Sequence, residues 1–172
     1  SDTIRELGVG INTLPHAIRE LAGLGLLDKL DAVAIRTDDL YYLNRHGQEV
    51  WREPRGLGAG HDVPQFSIHR GRLQSVIHRA VEERLGKDVI HTGCRLGAFA
   101  QHEGRVSAHF FDRTGAHIKT AQGDVLIGAD GIHSRVREML FPDEGPPCWN
   151  GLMLWRGGRD GPAFLTGHPV LA

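Results

Sequence analysis

Three clusters of residues carry types and spacings that suit chemistry at a bound ligand. The first is Gly123-Asp124-Val125-Leu126-Ile127-Gly128-Ala129-Asp130-Gly131-Ile132-His133-Ser134-Arg135-Val136-Arg137. An apolar run of strand length ends on Asp130, and Gly131 lets the backbone turn tightly into a helix opened by Ser134. Ligands gather at the carboxyl ends of strands in α/β proteins, and an acid beside a helix N-terminus suits a ribose hydroxyl and a phosphate. The same residues also describe an aspartate that does no more than cap the turn, and the residues alone leave both readings open. The second cluster is Phe66-Ser67-Ile68-His69-Arg70-Gly71-Arg72-Leu73. A cation at a helix mouth opposes the helix dipole, yet it is well placed to share an anion with the helix N–H groups through its planar fork. A solvated surface arginine fits equally. The third is Leu7-Gly8-Val9-Gly10-Ile11. Two glycines in a loop before a helix let backbone approach a flat ligand, but no strand precedes them and no third glycine follows, so this is not the dinucleotide fingerprint.

These clusters need elements to hold them. Residues 7–14 read as a glycine-bearing loop, and Ile18, Leu21, Ala22 and Leu26 recur at helical spacing over 15–27. Residues 34–44 and 49–52 read as an extended hairpin turned at 45–48, and 54–64 as a loop. Residues 66–69 read as extended. A second helix over 71–85 shows Leu73, Val76, Ile77, Ala80, Val81 and Leu85 on one face and stops at Gly86. A short strand is expected over 88–92, then a meander over 95–102, 105–112 and 117–120. Residues 124–128 read as a strand covered on both faces, 133–140 as a helix, 142–147 as a linker and 151–156 as a strand. Elements in this order indicate the α/β class.

Bulk properties narrow the function classes. The 172 residues carry a formal net charge of -1, which argues against a nucleic-acid partner. No apolar run approaches a membrane span, and the first residues do not resemble a signal peptide. Cys94 and Cys148 match no zinc spacing and the eleven histidines are dispersed, so no metal site is expected. A reduced, cytoplasmic protein is the expectation.

Beyond these physical readings, the Asp130, Gly131, Ser134, Val136, Arg137 pattern closely resembles the Asp-Gly motif of FAD-dependent aromatic hydroxylases of the p-hydroxybenzoate hydroxylase type. The His69-Arg70 element with Leu73 resembles a second motif of that family. The Gly8-Val9-Gly10-Ile11 loop, followed by Leu24-Gly25-Leu26, resembles a third. The resemblance spans residues 4 to about 158. It implies that Asp130 and Gly131 serve FAD and NAD(P)H, that Arg70 touches the flavin dinucleotide, and that Gly8, Val9 and Gly10 lie beside the isoalloxazine ring. It also implies an adenine contact for Leu96, which reads otherwise as a core residue of the meander. Residues 41–45, 51–56 and 153–157 look closest to the branch that hydroxylates phenazine carboxylates.

The implied fold is part of an FAD-binding Rossmann-like domain of the glutathione-reductase type with a β-meander (1–33 and 66–147), plus part of an antiparallel-sheet substrate domain (34–65 and 148–172). The implied activity uses FAD, NAD(P)H and O₂ to place one oxygen atom on a small aromatic substrate, and an oligomer is possible. No catalytic acid or base is assigned, because the cofactor carries the chemistry. Two family elements have no counterpart here: the N-terminal Gly-x-Gly-x-x-Gly strand and the later Gly-Asp motif. The chain is therefore expected to be partial and to bind flavin poorly by itself. Alternatives from other classes are a non-catalytic α/β nucleotide- or protein-binding module, and a related flavoprotein such as a halogenase or dehydrogenase.

Overall fold

The computed structural model describes residues 3–155 and 170–171, and the chain divides into two compact units, one built on Arg5–Val89 and the other on Ile90–Leu154. Both α-helices and β-sheets are present, as the α/β expectation requires.

In the first unit, strands β1 (Gly10–Thr13), β2 (Ile35–Arg36) and β5 (Phe66–His69) form an antiparallel sheet in the order β1-β5-β2. β5 is central, and its residues Phe66 and Ile68 point into the core while Ser67 and His69 face the other way. That other face carries a chain of polar bonds from β1 through β5 to Thr37, the residue just after β2. Ser67 Oγ donates to Asn12 Oδ1 (2.9 Å), and Thr37 Oγ1 lies 2.8 Å from Ser67 Oγ. Helices α1 (Pro15–Gly23), α2 (Leu27–Asp31) and α3 (Arg70–Leu85) cover the apolar face. Ile18, Leu26, Leu30, Val63, Phe66, Ile68 and Ala80 form the buried core, with Ile11, Leu21, Leu73 and Val76 packed around it.

Strands β3 (Asp39–Leu43) and β4 (Glu49–Pro54) make the expected hairpin, and β9 (Val170–Leu171) runs parallel to β3 on its other side. Asn44 shapes the turn, because its Oδ1 accepts from the N–H groups of His46 (2.9 Å) and Gln48 (3.1 Å).

The second unit is the meander, β6 (Arg95–His102), β7 (Arg105–Phe111) and β8 (His117–Gly123), followed by helix α4 (Arg135–Leu140). Glu103 and Gly104 both take positive φ (51° and 76°), which closes a tight β6–β7 turn. Asp112 Oδ1 closes the β7–β8 turn by accepting from Thr114 and Ala116 N–H groups.

Several sequence expectations fail here, each for a tertiary reason. Residues 10–13 are a strand, not loop, because β5 supplies a ladder partner 53 to 59 residues away. The first helix ends at Gly23, Gly25 turns the chain at φ 69°, and Leu27 starts a separate helix. Residues 88–92 are not a strand; a 3₁₀ turn spans Lys87–Val89. The stretch 124–128 forms no ladder with any described strand, and Val125 and Ile127 are 75% and 82% exposed. A run of strand-forming residues needs a neighbouring strand to bond to, and none lies alongside. Ile77 and Leu85 on α3 are also exposed, so the apolar face of that helix is narrower than its sequence indicates. Residues 151–155 are not a strand, and Arg156 lies outside the described residues. No helix among the described residues is long and apolar enough to cross a membrane.

Candidate functional site

Within the first unit the structure brings Gly8, Val9, Gly10 and Arg70 together. β1 begins at Gly10, whose Cα partner on β5 is His69, so the ladder sets the loop beside the start of α3. Arg70 N–H donates to the Val9 carbonyl (3.1 Å). Gly8 adopts φ 129°, a conformation that side chains disfavour, and a Cβ there would come within 2.6 Å of Arg70 Nε. The arginine side chain therefore lies directly against bare backbone. Its guanidinium has no carboxylate partner among the described residues, unlike those of Arg19, Arg36, Arg52 and Arg55. A planar cation beside an open glycine loop can hold an anion or a polar heterocycle edge.

Two further residues of the second cluster, neither given a binding role from the sequence, belong to this arrangement. Gly71 has no room for a side chain, because a Cβ would meet the Glu6 backbone at 2.7 Å. His69 caps α3: its Nδ1 accepts from Gly71 N–H (3.2 Å), and its Nε2 lies 2.9 Å from the Gly8 carbonyl. A glycine directly after the His-Arg pair, at a helix first turn, was the available signal for the close approach.

Within the second unit, Leu96 and Asp130 line one cleft of about 670 Å³, together with Cys94, Arg95, Gly97 and Arg135. Arg135 Nε donates to the Gly97 carbonyl (3.2 Å), and its guanidinium pairs with Glu138 (2.7 Å). Gly131, at φ 81°, makes the turn that aims Asp130 at the cleft side of α4. Gly128 also needs its bare Cα, since a Cβ would sit 2.9 Å from Val136 Cβ.

Ser134 is the N-cap of α4, and the Asp130 carboxylate caps the same turn beside it. Its Oδ1 accepts from Ser134 Oγ (2.6 Å), and its Oδ2 accepts from the N–H groups of Arg135 (2.6 Å) and Val136 (3.4 Å). Ser134 Oγ in turn accepts from Arg137 N–H (3.0 Å). The first-turn N–H groups are thus already taken, and the expected open helix N-terminus for a phosphate is not present. Lone pairs on the Asp130 carboxylate remain for a hydroxyl donor.

The Ser134 hydroxyl above all holds the Asp130 carboxyl below the ordinary aspartate range, against the opposing effect of desolvation and with lesser help from the Arg135 and Val136 N–H groups. A lowered folded value means the cap is intact above the unfolded aspartate value, about 3.9, and is lost as pH falls through the folded value. The Arg135 and Val136 amide proton shifts are expected to titrate together with a midpoint below that value, and Asp130→Asn to abolish the titration. A midpoint at or above it would contradict the capping geometry.

Among the described residues no cluster of His, Cys, Asp or Glu could hold a metal ion, and both cysteines are free.

Comparison with known proteins bears on both units. Residues 17–145 match the family described as FAD binding domain. The chain is 41% identical over 172 residues to the phenazine 1,6-dicarboxylic acid hydroxylase PhzS of Lysobacter antibioticus, covering 99% of this chain and 42% of that protein. It is 31% identical over 164 residues to the salicylate hydroxylase of Pseudomonas putida, covering 90% of this chain and 35% of that protein. The chain therefore spans less than half the length of either relative. Among solved structures, it shares its fold with FqzB (TM-score 0.64, 24% identity, 82% of this chain and 32% of that one). It also shares it with Klebsiella pneumoniae HpxO complexed with FAD and uric acid (TM-score 0.57, 24% identity, 80% and 33%). The residues present fit FAD, since a Cβ at Gly10 would meet nothing within 4 Å, which leaves bare backbone beside Gly8 and Arg70, and Arg95 and Arg135 line the Leu96–Asp130 cleft. With that fit and a match across three quarters of its residues, the chain belongs to the FAD binding domain family.

Proposed function

We propose that the protein carrying this chain is an FAD-dependent monooxygenase that uses NAD(P)H and O₂ to hydroxylate an aromatic or heteroaromatic ring, with a phenazine carboxylate as the first substrate class to try. The observation that carries the reading is the Gly8 backbone packed against the Arg70 guanidinium. Gly10, where an added Cβ would meet nothing within 4 Å, leaves bare backbone for a flat ring, and Arg70 supplies a cation for the polar edge of a dinucleotide. The printed activities of the two relatives, both hydroxylases of aromatic acids, support the reaction type.

The reaction balances as aromatic C–H plus O₂, NAD(P)H and a proton giving C–OH, water and NAD(P)⁺. When bound, FAD supplies the electron and oxygen chemistry. The chain's own residues bind and orient it: Gly8, Val9, Gly10 and Arg70 in the first unit, and Leu96, Asp130 and Gly131 in the second. In the same reading, residues 1–33 and 66–147 serve the flavin. Residues 34–65 and 148–172 are part of the substrate domain, and the β3–β4 hairpin with β9 is its sheet among the described residues. A cytoplasmic location accords with the two unpaired cysteines.

Purified whole protein is expected to oxidise NAD(P)H in air only when FAD is present, and faster when an aromatic carboxylate is added. NAD(P)H oxidation that ignores both FAD and every aromatic acid tried would overturn the proposal.

A further inference from the structure

The strand-to-helix junction between β5 and α3 holds a histidine bonded through both ring nitrogens. The imidazole of His69 spans two segments 61 residues apart, with Nδ1 on Gly71 N–H (3.2 Å) and Nε2 on the Gly8 carbonyl (2.9 Å). An N–H can only donate and a carbonyl can only accept. The ring makes both bonds only as the neutral tautomer with its proton on Nε2. We propose that His69 is a positioning residue: in that single tautomer it latches the Gly8–Gly10 loop onto the first turn of α3 and so fixes the loop relative to Arg70. The proposal rests on the flavin reading above for its functional consequence, but the latch itself does not.

The surrounding geometry shows why the ring matters. Segment 6–10 is strapped across α3 at other points as well. Ser75 Oγ donates to Glu6 Oε1 (2.5 Å), Arg70 N–H donates to the Val9 carbonyl (3.1 Å), and Gly71 admits the Glu6 backbone where a side chain would not fit. None of these contacts touches the Gly8–Val9 peptide group from the carbonyl side. Glycine at φ 129° has little intrinsic preference, so that peptide can rotate unless something holds it. Peptide planarity sets the C=O and N–H of one unit in opposite directions. Holding the Gly8 carbonyl on His69 therefore also fixes where the Val9 N–H points. Arg70, whose side chain rests on the Gly8 backbone, is fixed by the same contact.

Two isosteric replacements separate the latch from the cap. An asparagine side chain places its carbonyl where Nδ1 lies, so His69→Asn keeps the bond to Gly71 but cannot reach Gly8. A glutamine amide places its donor where Nε2 lies, so His69→Gln keeps the bond to Gly8 and loses the cap. Hydrogen exchange of residues 5–10 and 71–75 in the flavin-free whole protein is the primary readout, with the FAD dissociation constant alongside. His69→Asn is expected to raise exchange in 5–10 and to weaken FAD binding, each about fivefold to tenfold, with 71–75 unchanged. His69→Gln is expected to keep 5–10 and FAD affinity within about threefold of wild type, with faster exchange in 71–75. His69→Ala should lose protection in both segments. If His69→Asn matches wild type in loop exchange, or if Asn, Gln and Ala all loosen both segments alike, the latch is refuted and the ring is only a cap or a packing group. If the exchange pattern splits as described but wild type binds no FAD, the latch stands and the flavin reading fails.

Discussion

Replacing Arg70 by alanine is expected to weaken FAD binding by the whole protein about a hundredfold while leaving its melting temperature nearly unchanged. The size follows from losing a charge-assisted, two-pronged donor, on the order of 3 kcal/mol. The small effect on folding follows from the absence of any carboxylate partner for Arg70 among the described residues: no buried ion pair is broken. Arg70→Lys should recover only part of the affinity, because a lysine keeps the charge but not the fork. Gly8→Ala should mimic the defect from the opposite side, since its Cβ would meet Arg70 Nε at 2.6 Å and its φ of 129° would be strained. Titration of FAD into the four apoproteins reads all of this, and equal affinities would make Arg70 an ordinary surface residue.

Phe66→Ala is expected to cost about 3–5 kcal/mol of stability, enough to leave a marginal domain largely unfolded. Phe66 is fully buried at the centre of the sheet, packed with Ile18, Leu30 and Ile68 in the core of the first unit. Its backbone ladders with Thr13 and Arg36, and its carbonyl accepts from Thr13 Oγ1 (3.1 Å). The substitution leaves those bonds in place, so the loss reports the buried ring: its transfer free energy plus the cavity it leaves. Phe66→Leu, which fills most of the space, should cost about 1–1.5 kcal/mol. Denaturant unfolding of the whole protein measures both, and a Phe66→Ala loss below about 1 kcal/mol would mean the core is not organised around this ring.

The helix over 70–85 and the meander were legible because local signals suffice for them: a glycine stop at Gly86, turn residues at Glu103-Gly104 and Thr114-Gly115, and alternating strands between. β1 was not legible, since a four-residue strand containing Gly10 is recognisable only from its distant partner β5. The stretch 124–128 failed in the opposite direction: its composition promises a buried strand, but pairing is a property of neighbours and not of the segment. In the candidate site, Gly8, Val9, Gly10 and Arg70 converge as one group, and Leu96 and Asp130 share one cleft. The capping of α4 by Asp130 was one of two open readings, and only coordinates show which bonds the carboxylate makes. His69 and Gly71 were visible in the second cluster but received no role, because their contacts, to Gly8 and Glu6, join segments that sequence spacing does not connect.

The most direct test of the central claim is the origin of oxygen in the product. The whole protein is supplied with FAD, NAD(P)H and an aromatic carboxylate under ¹⁸O₂, and in parallel under ¹⁶O₂ in H₂¹⁸O, and the product is weighed by mass spectrometry. One new hydroxyl bearing ¹⁸O from the gas and none from the water is the expected result. A product oxidised or halogenated without oxygen from O₂, or a hydroxyl drawn from water, would contradict the monooxygenase assignment.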